Sequence, residues 1–155
     1  MYKITEEQRQ QCLSWLHAQV GDDYVFGVEN DSVAEPSQHD CSELVQIAFS
    51  RFLGLPKFPD GARYQYSECT LRGRIVPFPL AKVEPLDLVF LWDRGLKTID
   101  HVGVVAFTEP ETGEVYIIEA RGLPYRKVIA YPLNRFLVDF GNRVAGVYRI
   151  ITIDK

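Results

Sequence analysis

At 155 residues, with 46% hydrophobic and 25% charged residues, the chain has the composition of one globular domain able to bury a real core. A net charge of −4, with no basic run or basic helix, argues against a nucleic-acid binder. Cys12, Cys41 and Cys69 form no CxxC and suggest no disulfide framework or zinc site, so no metal and no cofactor are expected.

The N-terminal stretch MYKITEEQRQQCLSWL is too polar for a signal peptide, and no apolar run approaches membrane-spanning length. The expectation is a protein that is cytoplasmic as synthesised and has no membrane partner. Thr5 and Gln8 form a capping-box pattern that opens a helix from about Glu6 to Val20, stopped by Gly21. Cys12, Leu13, Leu16 and Val20 make its inner stripe, with Trp15 near the edge. A long polar connection follows, interrupted by Tyr24-Val25-Phe26-Gly27. Loops of that length in a compact domain are often functional. Its acids follow no calcium-loop pattern. Tyr24 reads equally well as an anchor for the loop or as a hydroxyl donor in a site.

The second helix is the most informative stretch. Asp40 suits an N-cap, with Glu43 three residues on, and Cys41, Leu44, Val45, Ala48, Phe49 and Phe52 fall on one face. Gly54 and Pro56 end it. A thiol at a helix N-terminus meets the positive end of the helix dipole, which favours the thiolate. Residues 55–86, rich in Pro, Gly and aromatics, predict irregular structure with a short helix near Ala62–Glu68, where Cys69 is structural.

The second half changes character. Leu88–Trp92 predicts a buried strand, and residues 101–107 (HVGVVAF) and 114–120 (EVYIIEA) predict a hairpin across TEPETG. Residues 126–131 and 144–153 supply further strands. Helices followed by adjacent strands indicate an α+β fold, with N-terminal helices packed on an antiparallel sheet of about five to six strands. Pairing Phe107 with Gly113 sets His101 opposite Glu119, with Cβ atoms about 5 Å apart. The helix face bearing Cys41 is then expected to pack on the sheet face bearing His101. A cysteine, a histidine and a carboxylate so placed form a nucleophile, a base and an orienter. The free N–H groups of the helix start offer an oxyanion site.

These residues resemble the NlpC/P60 family of papain-like cysteine peptidases. Asp40-Cys41-Ser42 with Leu44-Val45-Gln46 is similar to its DCSGLVQ motif, and Tyr24-Val25-Phe26-Gly27 to its YVWGG. Arg63-Tyr64-Gln65 resembles the R-x-x-Q region, Pro85–Phe90 resembles PGDLVFF, and His101-Val102-Gly103-Val104 resembles HVGIY. The matches run in family order over roughly residues 21–136. The resemblance implies one papain-like catalytic domain over residues 1–155. It implies hydrolysis of amide bonds in bacterial peptidoglycan peptides, of the D-γ-glutamyl-diaminopimelate or -lysine endopeptidase type.

By the same resemblance, Cys41 is the nucleophile, His101 the base and acid, and Glu119 the third member. Tyr24, Asp40 and Ser42 are implied as the substrate or oxyanion residues. Glu43, Val28, Leu86 and Glu119 depart from the family pattern, where Gly, Gly, Gly and His are usual. Glu43 is expected to narrow the cleft or add negative charge to it. With no wall-binding module in the chain, targeting is expected from the catalytic domain or from a carrier or targeting partner. Phage-tail or lysis enzyme, secreted effector and cytoplasmic recycling enzyme all fit. The alternatives are a CHAP-like amidase, a protein-directed acyltransferase or deamidase, and a non-catalytic phage-tail or assembly module.

Overall fold

The computed structural model describes residues 1–154. In chain order they form β1 (Tyr2–Ile4), α1 (Glu6–Gln19), β2 (Asp23–Tyr24), β3 (Gln38–His39), α2 (Cys41–Phe52) and α3 (Ala62–Arg72). There follow β4 (Arg74–Val76), β5 (Leu88–Trp92), β6 (Ile99–Thr108), β7 (Val115–Arg121), β8 (Lys127–Pro132), α4 (Leu133–Phe140), a 3-10 turn at Gly141–Arg143, β9 (Val144–Arg149) and β10 (Ile151–Ile153). The fold is the expected α+β. Its main sheet runs β3-β2-β8-β7-β6-β5-β9-β4, and the six strands from β8 to β4 are joined antiparallel. The two-residue strands β2 and β3 pair in parallel at one edge, and β1 pairs with β10 in a separate parallel ribbon.

The central strands are apolar on both faces because both faces are covered. On one side, Leu88, Phe90, Val102, Val104, Ile118 and Ala120 pack under α1, α2 and α3. On the other, Val89, Leu91, Val105, Ile117 and Tyr131 pack under Leu133 and Phe136 of α4. Helix α4 was not foreseen from the sequence. It is only eight residues long and opens directly from a strand at Pro132, without a side-chain cap. Its role is nonetheless large, since it dries the second face.

The helices follow their end signals. The Thr5–Gln8 capping box of α1 is complete, and that helix buries Cys12, Leu13 and Leu16. Helix α3 continues a turn beyond the expected Glu68, to Arg72, and encloses Cys69 completely. Leu86, where the family pattern has Gly, is fully buried at φ 75°. A Leu there accepts a left-handed backbone that glycine adopts freely, at a cost of roughly 1–2 kcal/mol offset by its burial. Among the described residues no helix is long and apolar enough to cross a membrane.

Candidate active site

The start of α2 presents Cys41. Asp40 caps the helix: Glu43 N–H donates to its Oδ1 at 2.8 Å, and Gly27 N–H donates to its Oδ2 at 3.0 Å. One carboxylate therefore ties the Tyr24–Gly27 loop to the helix end. Burial pushes the Asp40 carboxyl up, and the Asp60 charge adds to this against the backbone donors. The Ser42 hydroxyl lies 3.0 Å from Asp60 Oδ1 and 3.3 Å from Asp40 Oδ1. Below it, Gln65 Nε2 donates to the carbonyls of Ser42 and Pro59.

Cys41 is half-buried, with Sγ 3.9 Å from the Asp100 carbonyl. It opens on a cleft of about 430 Å³ whose walls include Tyr24, Phe26, Ser42, Asp60, Tyr64 and Asp100. Tyr24 is half-buried, its ring against Gly122. Burial raises its phenol to about 12, with the charges of Cys41, Asp40 and Asp100 adding. Cys12 and Cys69 are sealed in the core, where burial pushes both thiols to about 12.

His101, half-buried, directly precedes the continuous buried run of β6. Its Nε2 lies 2.9 Å from Glu119 Oε1, and the Cys41 sulfur stands close enough for the charged forms to stabilise each other. Burial works against the imidazolium, but the bonds to Cys41 and Glu119 outweigh it and raise His101 to about 10. Burial likewise works against the Glu119 carboxylate, yet His101 and Arg121 hold it below the usual carboxylate range. The structure thus brings all six sequence-predicted residues to one end of the sheet: Cys41, His101 and Glu119, with Tyr24, Asp40 and Ser42 around the thiol.

Two details of the expectation are corrected. The β6–β7 hairpin pairs Val104 with Ile118 and carries an irregularity between Val105 and Phe107, so His101 is not directly opposite Glu119. The shift amounts to two residues, which preserves side-chain parity and leaves the pair diagonal on one face. Gly103 occupies the place across from Glu119. A Cβ there would lie 3.1 Å from Ile117 Cδ1 and 3.3 Å from Val89 Cγ1, so its small size lets these two side chains close in beside Glu119.

The second correction concerns faces. Helix α2 packs on the side of Val102 and Val104, whereas His101 lies on the opposite side, its ring stacked 6.2 Å from Phe136 of α4. Cys41 meets His101 because it is the first residue of its helix and stands beside the beginning of β6, next to the displaced Asp100. They meet at an end of the sheet, not across a packed face.

Glu43 does not line the cleft. It is 1% exposed, accepting from Asn30 Nδ2 at 2.8 Å and facing His39 Nδ1 at 2.8 Å. His39, wholly buried, sets its other ring nitrogen 3.2 Å from both Gln19 and Asp22. This network joins α1, β3 and α2 beneath the nucleophile. Sequence reasoning missed His39, although its four-residue spacing to Glu43 at a helix start was a usable signal. Replacing Glu43 with alanine is expected to lower stability, since each buried donor left unpaired costs about 1–3 kcal/mol. An unchanged urea midpoint would show that the network contributes nothing.

Arg121 was also missed. Its Nε donates to Glu119 Oε1 and its Nη2 to Glu119 Oε2, both at 2.8 Å. Strand alternation alone places it beside Glu119 on the same face. Among the described residues, no group of three His, Cys, Asp or Glu side chains is arranged to hold a metal ion.

No family model matches the chain, and no curated protein matches it in sequence. Solved structures do. NlpC1 of Trichomonas vaginalis is 18% identical with a TM-score of 0.66, covering 94% of this chain and 45% of its own. A Staphylococcus aureus protein of the NLP/P60 family is 21% identical with a TM-score of 0.65, covering 97% of this chain and 43% of its own. An N-acetylmuramoyl-L-alanine amidase of Bacteroides uniformis is 12% identical with a TM-score of 0.57, covering 91% of this chain and 97% of its own. The chain thus spans less than half the length of the first two structures. These likenesses lie at the level of the fold: the chain has the NlpC/P60 fold.

Proposed function

We propose that the protein is a cysteine hydrolase that cleaves amide bonds in bacterial peptidoglycan peptides, of the endopeptidase type. The observation that carries this reading is the placement of Cys41 at a capped helix start beside His101, whose far nitrogen meets the buried Glu119. In the reaction, the Cys41 thiolate forms a bond to the amide carbonyl carbon. The oxyanion is held by the free N–H groups of the first turn of α2 and by the Tyr24 hydroxyl. Collapse breaks the C–N bond, and the leaving amine takes its proton from His101. Neutral His101 then accepts a proton from water, whose oxygen attacks the thioester. The acid product departs and Cys41 is restored. Glu119 keeps the imidazole oriented throughout.

An amidase on the same fold is the second reading. It is favoured by the carboxylate in third place and by the likeness to an amidase over nearly that protein's whole length. Digestion of purified peptidoglycan, followed by mass analysis of the fragments, separates the two. The endopeptidase releases cut stem peptides, whereas an amidase releases whole stems from the glycan. Absence of digestion together with activity on protein glutamine would overturn both. A carrier that delivers the enzyme to the wall belongs to the same proposal.

A further inference from the structure

We propose that Arg121 is a positioning residue of this site: by gripping both oxygens of Glu119 it keeps that carboxylate charged and aimed at His101. The proposal rests on the cysteine-hydrolase reading and adds to it a fourth member. Three observations carry it. The grip is bidentate, with two bonds of 2.8 Å that leave Glu119 no freedom to rotate about its terminal bond. Glu119 Oε1 is shared, accepting from Arg121 Nε and facing His101 Nε2, so the guanidinium fixes the very oxygen that orients the ring. Glu119 is 1% exposed, a burial at which a carboxylate with one titratable partner readily takes up a proton.

The surroundings suit a permanent cation. Arg121 lies 4.3 Å from the centroid of the Tyr131 ring, with the rings of Phe140, Tyr125 and Phe136 at 5.2, 5.3 and 5.7 Å. This aromatic wall supports a planar guanidinium better than a compact ammonium. The charged and titratable groups facing the pair are few. His101 approaches from β6, with Cys41 of α2 beyond it, and Tyr131 approaches from β8. On α4, Asp139 is bonded to the Tyr131 hydroxyl, and Arg135 lies over the Tyr131 ring at 5.8 Å. Glu119 is the carboxylate that Arg121 pairs with.

The physical consequence has a definite sign. Removing a fixed positive charge favours the protonated form of every neighbour, so without Arg121 the carboxylate is lost at higher pH. The charged Cys41–His101 pair is then lost with it. Removing the acid form of Glu119 from the working range is therefore what Arg121 does.

The test is the pH dependence of Cys41 alkylation by iodoacetamide, read by peptide mass spectrometry in the full chain, for wild type, Arg121→Gln and Arg121→Lys. The acid limb is expected to move up by about one pH unit or more in R121Q. R121K, which keeps the charge, is expected to return most of the way to wild type at a lower rate. Melting curves identify the folded variants. If R121Q does not fold, the comparison of R121K with wild type still decides. A limb displaced in R121K by a unit or more, despite the retained charge, overturns the proposal. So does R121Q with a reduced rate but an unmoved limb, which is the mark of mere packing. A wild type whose Cys41 reacts no faster near pH 6 than Cys12 or Cys69 overturns the hydrolase reading and this one with it. Fast, pH-dependent alkylation without peptidoglycan digestion would instead sink only the proposed substrate.

Discussion

Replacing His101 with alanine is expected to reduce peptidoglycan hydrolysis by about 10⁴-fold or more, and Cys41→Ala by a similar factor. The double variant should be no worse than either single one, because the two groups act as a unit. Release of soluble peptides under saturating substrate is the measurement, and an H101A enzyme with a few per cent of wild-type rate would remove His101 from the mechanism. The same residue makes a stability prediction. His101 is raised to about 10, whereas an unfolded histidine titrates near about 6.5. Its contribution is therefore complete below about pH 6.5 and declines as the pH rises towards 10. Glu119, held below the usual carboxylate range, contributes above about pH 4.3 and loses that contribution as the pH falls through its folded value. Unfolding midpoints measured across this range should fall on the alkaline side in wild type, and His101→Gln should flatten that decline.

Glu119→Ala is expected to have the largest combined effect. It leaves the Arg121 guanidinium, 11% exposed in its side chain, without its carboxylate and removes the acceptor of His101 Nε2. Breaking a buried pair from one side costs about 3–5 kcal/mol, and losing the orienter of a general base costs roughly 10²–10⁴-fold in rate. Stability and activity can be separated. Replacing both partners, as Glu119→Ala with Arg121→Met, removes the uncompensated charge among the rings of Tyr131, Phe136 and Phe140. It should recover much of the stability and none of the activity. If activity returned along with stability, Glu119 would be a packing residue and the third place in the site would be vacant.

A family pattern is an uneven guide to single residues. Glu43 and Glu119 both stand where the NlpC/P60 pattern that the chain resembles usually has another residue. From the sequence, Glu43 is expected to narrow the cleft or add negative charge to it. In the fold it turns inward to His39 and Asn30, away from the cleft. Glu119, by contrast, meets the histidine directly. Both depart from the pattern, yet the partners supplied by the tertiary structure give them different places: one in a buried network, the other at the histidine.

What the sequence determined by itself was local: the capped helix that presents Cys41, the apolar strands, the alternation within each of the two strands that carry His101 and Glu119, and the order of motifs. Each of these rests on periodicity and end signals within a few residues, which the chain states directly. Three matters waited for the tertiary structure. The hairpin pairs Thr108 with Val115, three residues from the expected register, and an irregularity near Phe107 takes back one, leaving the shift of two that restores parity. The face that carries His101 proved to be covered by α4, whose eight residues give too short a pattern to read with assurance. Against its burial, Glu119 is held as a carboxylate by His101 and by Arg121 beneath that helix, contacts that only the assembled fold supplies. Burial is a property of the assembled sheet and helices, and it turns a neighbouring pair of charges into a fixed one.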